Sequence, residues 1–141
     1  CHHHSSSWIA APWESSRVLA LTAPELIGLG CDTGHYQFGG GEPVEGRTKH
    51  ADRIWHVHFK DCDVEIATAA RHERLAYNEA VGKGLFCELG KGGVDFRGFF
   101  HELQAIDYNA WVVVEQDVLP NMGSPKEMAQ RNREYLQSIG L

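Results

Sequence analysis

The sequence predicts an α/β fold made of parallel βα units, with a functional site at the mouth of a β/α barrel. Two observations carry this expectation. Apolar, strand-like runs alternate with helical patterns, and no hairpin turn joins consecutive strands. Three of the runs also end in polar groups: Cys31-Asp32-Thr33-Gly34-His35, His56-Val57-His58-Phe59-Lys60-Asp61 and Val112-Val113-Val114-Glu115-Gln116-Asp117. Each delivers a carboxylate or imidazole at the same end of its strand, where parallel barrels place their sites.

Taken in order, Pro12 to Leu21 reads as a helix, with Pro in the first turn and Glu14 near the positive N-terminal end. Leu26 to Asp32 reads as a strand. The Gly39-Gly40-Gly41 turn leads into a short polar segment ending near Ala51. Ile54 to Lys60 is a second strand, and Glu65 to Val81 a weakly patterned helix. After the Gly90-Lys91-Gly92-Gly93 loop, Asp95 is placed to cap a helix. Its apolar face is Phe96, Phe99, Phe100, Leu103 and Ile106. Trp111 to Gln116 is the third strand. Ser124-Pro125-Lys126-Glu127 is a capping box that opens a last helix through about Ile139. Both glycine runs depart from the known phosphate-loop patterns, so they are read as turns.

The 141 residues make one domain, residues 1–141, of ordinary soluble composition. A formal net charge of -6 argues against nucleic acid or an anionic membrane as the main partner. No apolar run approaches the roughly 20 residues needed to span a bilayer. Cys1, Cys31, Cys62 and Cys87 lie far apart, which fits free thiols in a reducing cytoplasm. Nine histidines raise the expectation of metal or proton chemistry. The opening Cys1-His2-His3-His4 reads either as the remnant of a purification tag or as the continuation of a longer protein.

Alternation along the second strand puts Trp55, Val57 and Phe59 on one face, suited to packing under helices. It puts Ile54, His56, His58 and Lys60 on the other, a costly set to bury without partners. Asp32 shares its face with Gly28 and Gly30, which leave space beside it. Glu115 and Asp117 share theirs with Trp111 and Val113. Taken together, Asp, His and Glu form a mixed oxygen and nitrogen set. It suits a divalent ion: Mn²⁺ or Co²⁺ first, with Mg²⁺ or Zn²⁺ as alternatives. Such an ion would polarise a carbonyl or hydroxyl of a polyol and stabilise an enediolate. Bland roles stand beside these: a cap for Asp32, a surface loop for His35, a hydrogen-bonded interior for His56, a solvent-reaching stem for Lys60 and an ordinary loop acid for Asp117.

At these residues the chain resembles the xylose isomerase-like TIM-barrel family of sugar isomerases and epimerases, and within it the inosose dehydratase group. Leu29 to Tyr36, Arg53 to Asp61 and Val112 to Asp117 carry the likeness, joined by Leu89 to Asp95 and Pro120 to Glu127. The resemblance implies the C-terminal part of a TIM (β/α)8 barrel, about four βα units, corresponding to strands five to eight. It implies Asp32, His58 and Glu115 as ligands of a divalent metal. It further implies His35 and His4 beside the metal and Lys60 as a substrate contact. The His2-His3-His4 run then becomes the end of an earlier barrel strand. Two departures follow. The family's fourth ligand, a glutamate, aligns with Ala10, and nearby Glu14 falls in the next helix. A full barrel needs roughly 250 residues, so the chain is expected to be part of a longer protein or a half-barrel that dimerises.

The implied reaction is dehydration of a keto-inositol: the proton beside the ketone leaves, an enolate forms, and the β-hydroxyl departs as water. His35, His4 and Lys60 are the acid–base candidates. The partner is a small polyol or keto-sugar. A ketose epimerase or isomerase using the same metal is the runner-up, and a non-catalytic partial barrel is the third reading.

Overall fold

The computed structural model describes residues 1–141. In order, the elements are α1 (Pro12–Ala20), β1 (Leu29–Asp32), α2 (Thr33–Phe38), α3 (Pro43–Lys49), a 3₁₀ turn (Ala51–Arg53), β2 (Ile54–Phe59) and β3 (Asp61–Cys62). There follow α4 (Val64–Glu73), α5 (Tyr77–Gly82), β4 (Phe86–Cys87), α6 (Phe96–Ala105), β5 (Val112–Val114) and α7 (Pro125–Ser138). The principal sheet has the order β1-β2-β5, and both pairings are parallel. Beyond β1, His2 bridges Gly30 in the parallel sense, and Gly30 N–H donates to the Cys1 carbonyl at 2.7 Å. The opening residues therefore run beside β1 in the parallel sense, the place expected of an earlier barrel strand.

The main core fills the space between this sheet and α6. Val57 and Phe59 on β2 are fully buried with Leu29 and Cys31 on β1 and with Phe96, Phe99 and Leu103 on α6. Phe59 meets Phe96 and Phe99 at ring-centroid distances of 5.1 and 5.8 Å. Full burial of each such ring contributes about 2–3 kcal/mol. The α6 cap is as expected, with the Asp95 carboxylate accepting from Gly98 N–H at 2.9 Å. A second core of Cys62, Ala67, Ala70, Ala80, Val81, Leu85 and Phe86 lies under β3, β4, α4 and α5.

Four local expectations are corrected. Trp55 is 51% exposed instead of buried, and Ile54 is buried in its place. The cause is a register irregularity: Leu29 pairs with Ile54 but Gly30 with His56, so Trp55 is an extra residue that shifts the phase of the strand. The space at Gly28 is filled by the Trp55 indole, which would stand 2.0 Å from a Cβ there. Second, the polar stretch after Gly41 is the helix α3, capped by Glu42, whose carboxylate accepts from Glu45 N–H at 2.8 Å, with Pro43 in its first turn. Third, Glu65 to Val81 is two helices, broken where Arg74 takes the left-handed conformation at φ 57°. Fourth, β3 and β4 pair antiparallel, a two-residue ribbon too short to leave a sequence signal. Strand ends also contract, since Leu26 lies in a turn and β5 keeps only Val112 to Val114.

α7 is held by polar anchors. The buried Asn132 accepts from Leu89 N–H at 2.9 Å and donates to Gln116 Oε1 at 3.1 Å. Arg131 donates twice to Glu88 Oε1, at 2.9 and 2.7 Å. The edge strand β5 leaves Val113 and Val114 partly exposed, with Trp111 beside it 83% exposed. No helix is long and apolar enough to cross a membrane.

Two close approaches position the site. The Asp61 carboxylate accepts from the N–H groups of Cys62, Gly90, Gly92 and Val94 at 2.8–3.1 Å. The glycine loop thus grips a carboxylate of its own chain. Gly34, at the start of α2, sits directly on Lys60: a Cβ there would lie 2.7 Å from Lys60 Cγ and 3.0 Å from its carbonyl oxygen. Replacing Asp61 by Ala is expected to strand several buried donors and to cost on the order of 3 kcal/mol in urea-unfolding free energy. Gly34→Ala is expected to cost about 1–3 kcal/mol by overpacking. An unchanged unfolding midpoint in either variant would refute the corresponding contact.

Candidate functional site

The parallel register brings the strand ends level. Asp32 closes β1 opposite His58 of β2. Glu115 N–H donates to the Phe59 carbonyl at 2.9 Å, which extends the β2–β5 ladder by one residue and sets Glu115 beside Lys60. Asp32, His58, Lys60, Glu115 and Asp117 therefore meet at one end of the sheet. His58 Nδ1 lies 3.5 Å from Asp32 Oδ2 and 3.2 Å from Glu115 Oε1.

Lys60 is the hub. Its ammonium is 1% exposed, so the stem does not reach solvent, and it lies 3.5 Å from Asp32, 3.1 Å from Glu115 and 3.0 Å from Asp117. Nζ also donates to His35 Nε2 at 3.0 Å. Burial disfavours the charged amine, but the Asp32 and Asp117 carboxylates outweigh it and push its pKa above the ordinary lysine value.

Asp32 serves two roles at once. Oδ1 accepts from His35 N–H at 2.8 Å and caps α2. Oδ2 is buried and makes no well-formed hydrogen bond, only 3.5 Å contacts to His58 Nδ1 and Lys60 Nζ, and His58 Nδ1 likewise has only its carboxylate contacts. Burial opposes the Asp32 anion, yet His58 and Lys60 hold its pKa below the usual carboxylate range. Asp32 in turn raises that of His58.

His35 is fully buried, not a surface-loop residue. Burial pushes its pKa down to about 3, so the ring is neutral at physiological pH. Lys60 can only donate, so Nε2 accepts and the proton sits on Nδ1, directed at Ser5 Oγ 2.8 Å away. The His4 ring packs against that of His35, centroids 4.1 Å apart and tilted by 46°. His4 Nδ1 accepts from Ser6 N–H at 3.3 Å, which leaves the proton of the neutral ring on Nε2. His56 is half-buried, its ring edge-on to His58 at 4.9 Å, rather than a hydrogen-bonded interior residue.

Three residues join the cluster unannounced. The Tyr77 hydroxyl donates to Asp117 Oδ2 at 2.6 Å, the same oxygen that Lys60 contacts, so Asp117 is no ordinary loop acid. Ser5 holds His35. His2 lies with its ring 5.2 Å from that of His58. Alternation from His4 would have placed His2 on the same face. Tyr77 opens a six-residue helix and carries no such signal.

The donor chemistry fits a divalent cation: buried Asp32 Oδ2 and His58 Nδ1, neither in a well-formed hydrogen bond, face one another with Glu115 alongside. Ligand-capable atoms of His2, Asp32 and His58 lie within 4.8 Å of one another. Ala10 adds no donor side chain. Glu14 is spent as a helix cap, its Oε2 accepting from Ala10 N–H at 2.8 Å and Ala11 N–H at 2.7 Å.

Known proteins share this arrangement of elements. The chain is 37% identical over 136 residues to an inosose dehydratase of Geobacillus thermodenitrificans (strain NG80-2), covering 96% of this chain and 46% of that protein. It is 38% identical over 135 residues to the rhizopine catabolism protein MocC of Rhizobium meliloti, covering 96% of this chain and 41% of that protein. The chain thus spans less than half the length of these relatives. Among solved structures, the probable 3-DHS dehydratase AsbF of Bacillus anthracis superposes with a TM-score of 0.70 at 16% identity, over 96% of this chain and 47% of that one. A D-tagatose 3-epimerase-like protein gives 0.65 at 17% identity, over 98% and 45%. These two likenesses speak for the fold. The family model described as "Xylose isomerase-like TIM barrel" matches residues 4–139, and the chain belongs to that family.

Proposed function

We propose that the chain carries the metal-binding half of a hydro-lyase that dehydrates a keto-inositol. The observation that carries this reading is the pair of buried atoms Asp32 Oδ2 and His58 Nδ1, which face one another at the strand ends without a well-formed hydrogen bond, in a chain whose relatives are named inosose dehydratases. Asp32, His58 and Glu115 would hold the ion, and their oxygen and nitrogen donors suit Mn²⁺ or Co²⁺. When bound, the metal supplies Lewis acidity at the substrate ketone.

The remaining work falls to side chains of this chain. Elimination takes a proton from the carbon beside the ketone and expels the hydroxyl one carbon further on as water. Lys60 offers a charged N–H donor toward substrate oxygens, and His4 offers Nε2–H. His35 stands behind Lys60 and fixes it through a neutral, accepting nitrogen. Asp117, steadied by the Tyr77 hydroxyl, holds the ammonium from the other side. The partly exposed β5 edge and Trp111 call for a complementary half-barrel, from a longer chain or a second copy.

Two measurements test the reading. Isothermal titration with Mn²⁺ or Co²⁺ should show binding to the chain, and Asp32→Asn or Glu115→Gln should weaken it by about tenfold or more. Unchanged affinity in both variants would remove these ligands. With a keto-inositol and the complete barrel, mass analysis should show a product lighter by one water. A product of unchanged mass would assign epimerisation or isomerisation instead.

A further inference from the structure

We propose that His2 is a ligand of the same metal, taking up coordination that no carboxylate near Ala10 supplies. This rests on the metal reading above and extends it to a residue outside the Asp32, His58, Glu115 set. Three observations carry it. First, ligand-capable atoms of His2, Asp32 and His58 lie within 4.8 Å of one another, a spread one ion can span; Glu115 instead sits against His58 and Lys60.

Second, the His2 ring is already oriented as a ligand. Its Nδ1 lies 3.1 Å from the Gly30 carbonyl oxygen. A carbonyl only accepts, so Nδ1 carries the proton and Nε2 keeps the lone pair. Metal-binding imidazoles typically donate their other ring N–H to a backbone carbonyl or carboxylate, which fixes tautomer and orientation. Third, the other two members keep coordination to spare: Oδ2 of fully buried Asp32 and Nδ1 of His58 make no well-formed hydrogen bond, only charge contacts of 3.2–3.5 Å to each other, to Lys60 and to Glu115.

The backbone reinforces this placement. The parallel bridge between His2 and Gly30, and the Gly30 N–H to Cys1 carbonyl bond, pin the His2 backbone to β1 two residues before Asp32. His2 lies directly beside Gly30, where a Cβ would stand in ordinary contact with His2 Cβ at 3.7 Å. His4 differs: its Nδ1 is occupied by Ser6 and its ring packs, tilted, against His35. The opening segment therefore divides its two imidazoles, His2 toward the metal and His4 toward the substrate.

The test uses the 141-residue chain, Co²⁺ as probe, calorimetric affinity and the visible absorption of the bound ion. His2→Asn is the informative variant. Its side-chain amide can still donate to the Gly30 carbonyl, so the strand stays tethered, but it places no donor at the Nε2 position. His2→Ala serves as a second variant, and thermal unfolding of the metal-free proteins checks that both fold. The expected result is a loss of at least the roughly tenfold that removal of an outer partner already costs, with a changed Co²⁺ spectrum. If His2→Asn keeps wild-type affinity and spectrum while Asp32→Asn loses binding, His2 is no ligand and the metal reading stands. If the wild-type chain binds no Co²⁺, the metal reading falls and takes this assignment with it.

Discussion

The end of this sheet is organised around one buried ammonium. Lys60 leaves the tip of β2 and meets Asp32 from β1, Glu115 and Asp117 from beyond β5, and His35 from α2. A cation almost without solvent is tolerable only where anions surround it, and breaking such a buried set by removing one partner is costly. The converse also holds: three carboxylates from two segments, one ending β1 and one following β5, would repel one another without Lys60. Strand order, the Gly34 approach and the placement of His35 are arranged so that this charge is compensated.

Neighbouring residues divide structure from chemistry. Lys60 and Asp61 are adjacent, so extended backbone sends their side chains to opposite sides. Lys60 enters the polar cluster, while Asp61 turns outward and collects four N–H groups, three of them from the Gly90–Val94 loop. Burial pushes the Asp61 pKa up, and the four donors counter it by favouring the anion. The same dipeptide therefore closes the site on one side and clamps the glycine loop on the other.

Much of this was legible in the sequence because it depends on period and position. The three polar strand ends, the caps at Asp95 and Ser124, and the phenylalanine face of α6 follow from local pattern alone. Failures occur where one residue breaks the period. Trp55 is such a residue: an inserted position in β2 reverses the phase, so alternation wrongly assigns both Ile54 and Trp55. Arg74 is another, since a left-handed arginine leaves no compositional trace. In the site, Asp32, His35, His58, Lys60 and Glu115 all sit in strand-end motifs and converge as their spacing implies. Tyr77 comes from a short helix 40 residues away from its partner Asp117, and only tertiary packing joins them.

The arrangement also bears on how a lysine and a divalent cation can share carboxylates. Lys60 contacts Asp32 and Glu115, the same groups proposed as metal ligands. Two cations drawn to the same oxygens compete, and at a separation near 4 Å the repulsion between a divalent ion and an ammonium is about 8 kcal/mol at an effective dielectric of 20. Lys60 can give up those two contacts only if others retain it. Asp117 and His35 meet that need: one supplies charge, steadied by the Tyr77 hydroxyl, and the other a neutral lone pair held in place by Ser5. A protonated His35 could not accept from Lys60, so the burial that keeps its imidazole neutral is what lets the ammonium remain at the site beside a second positive charge.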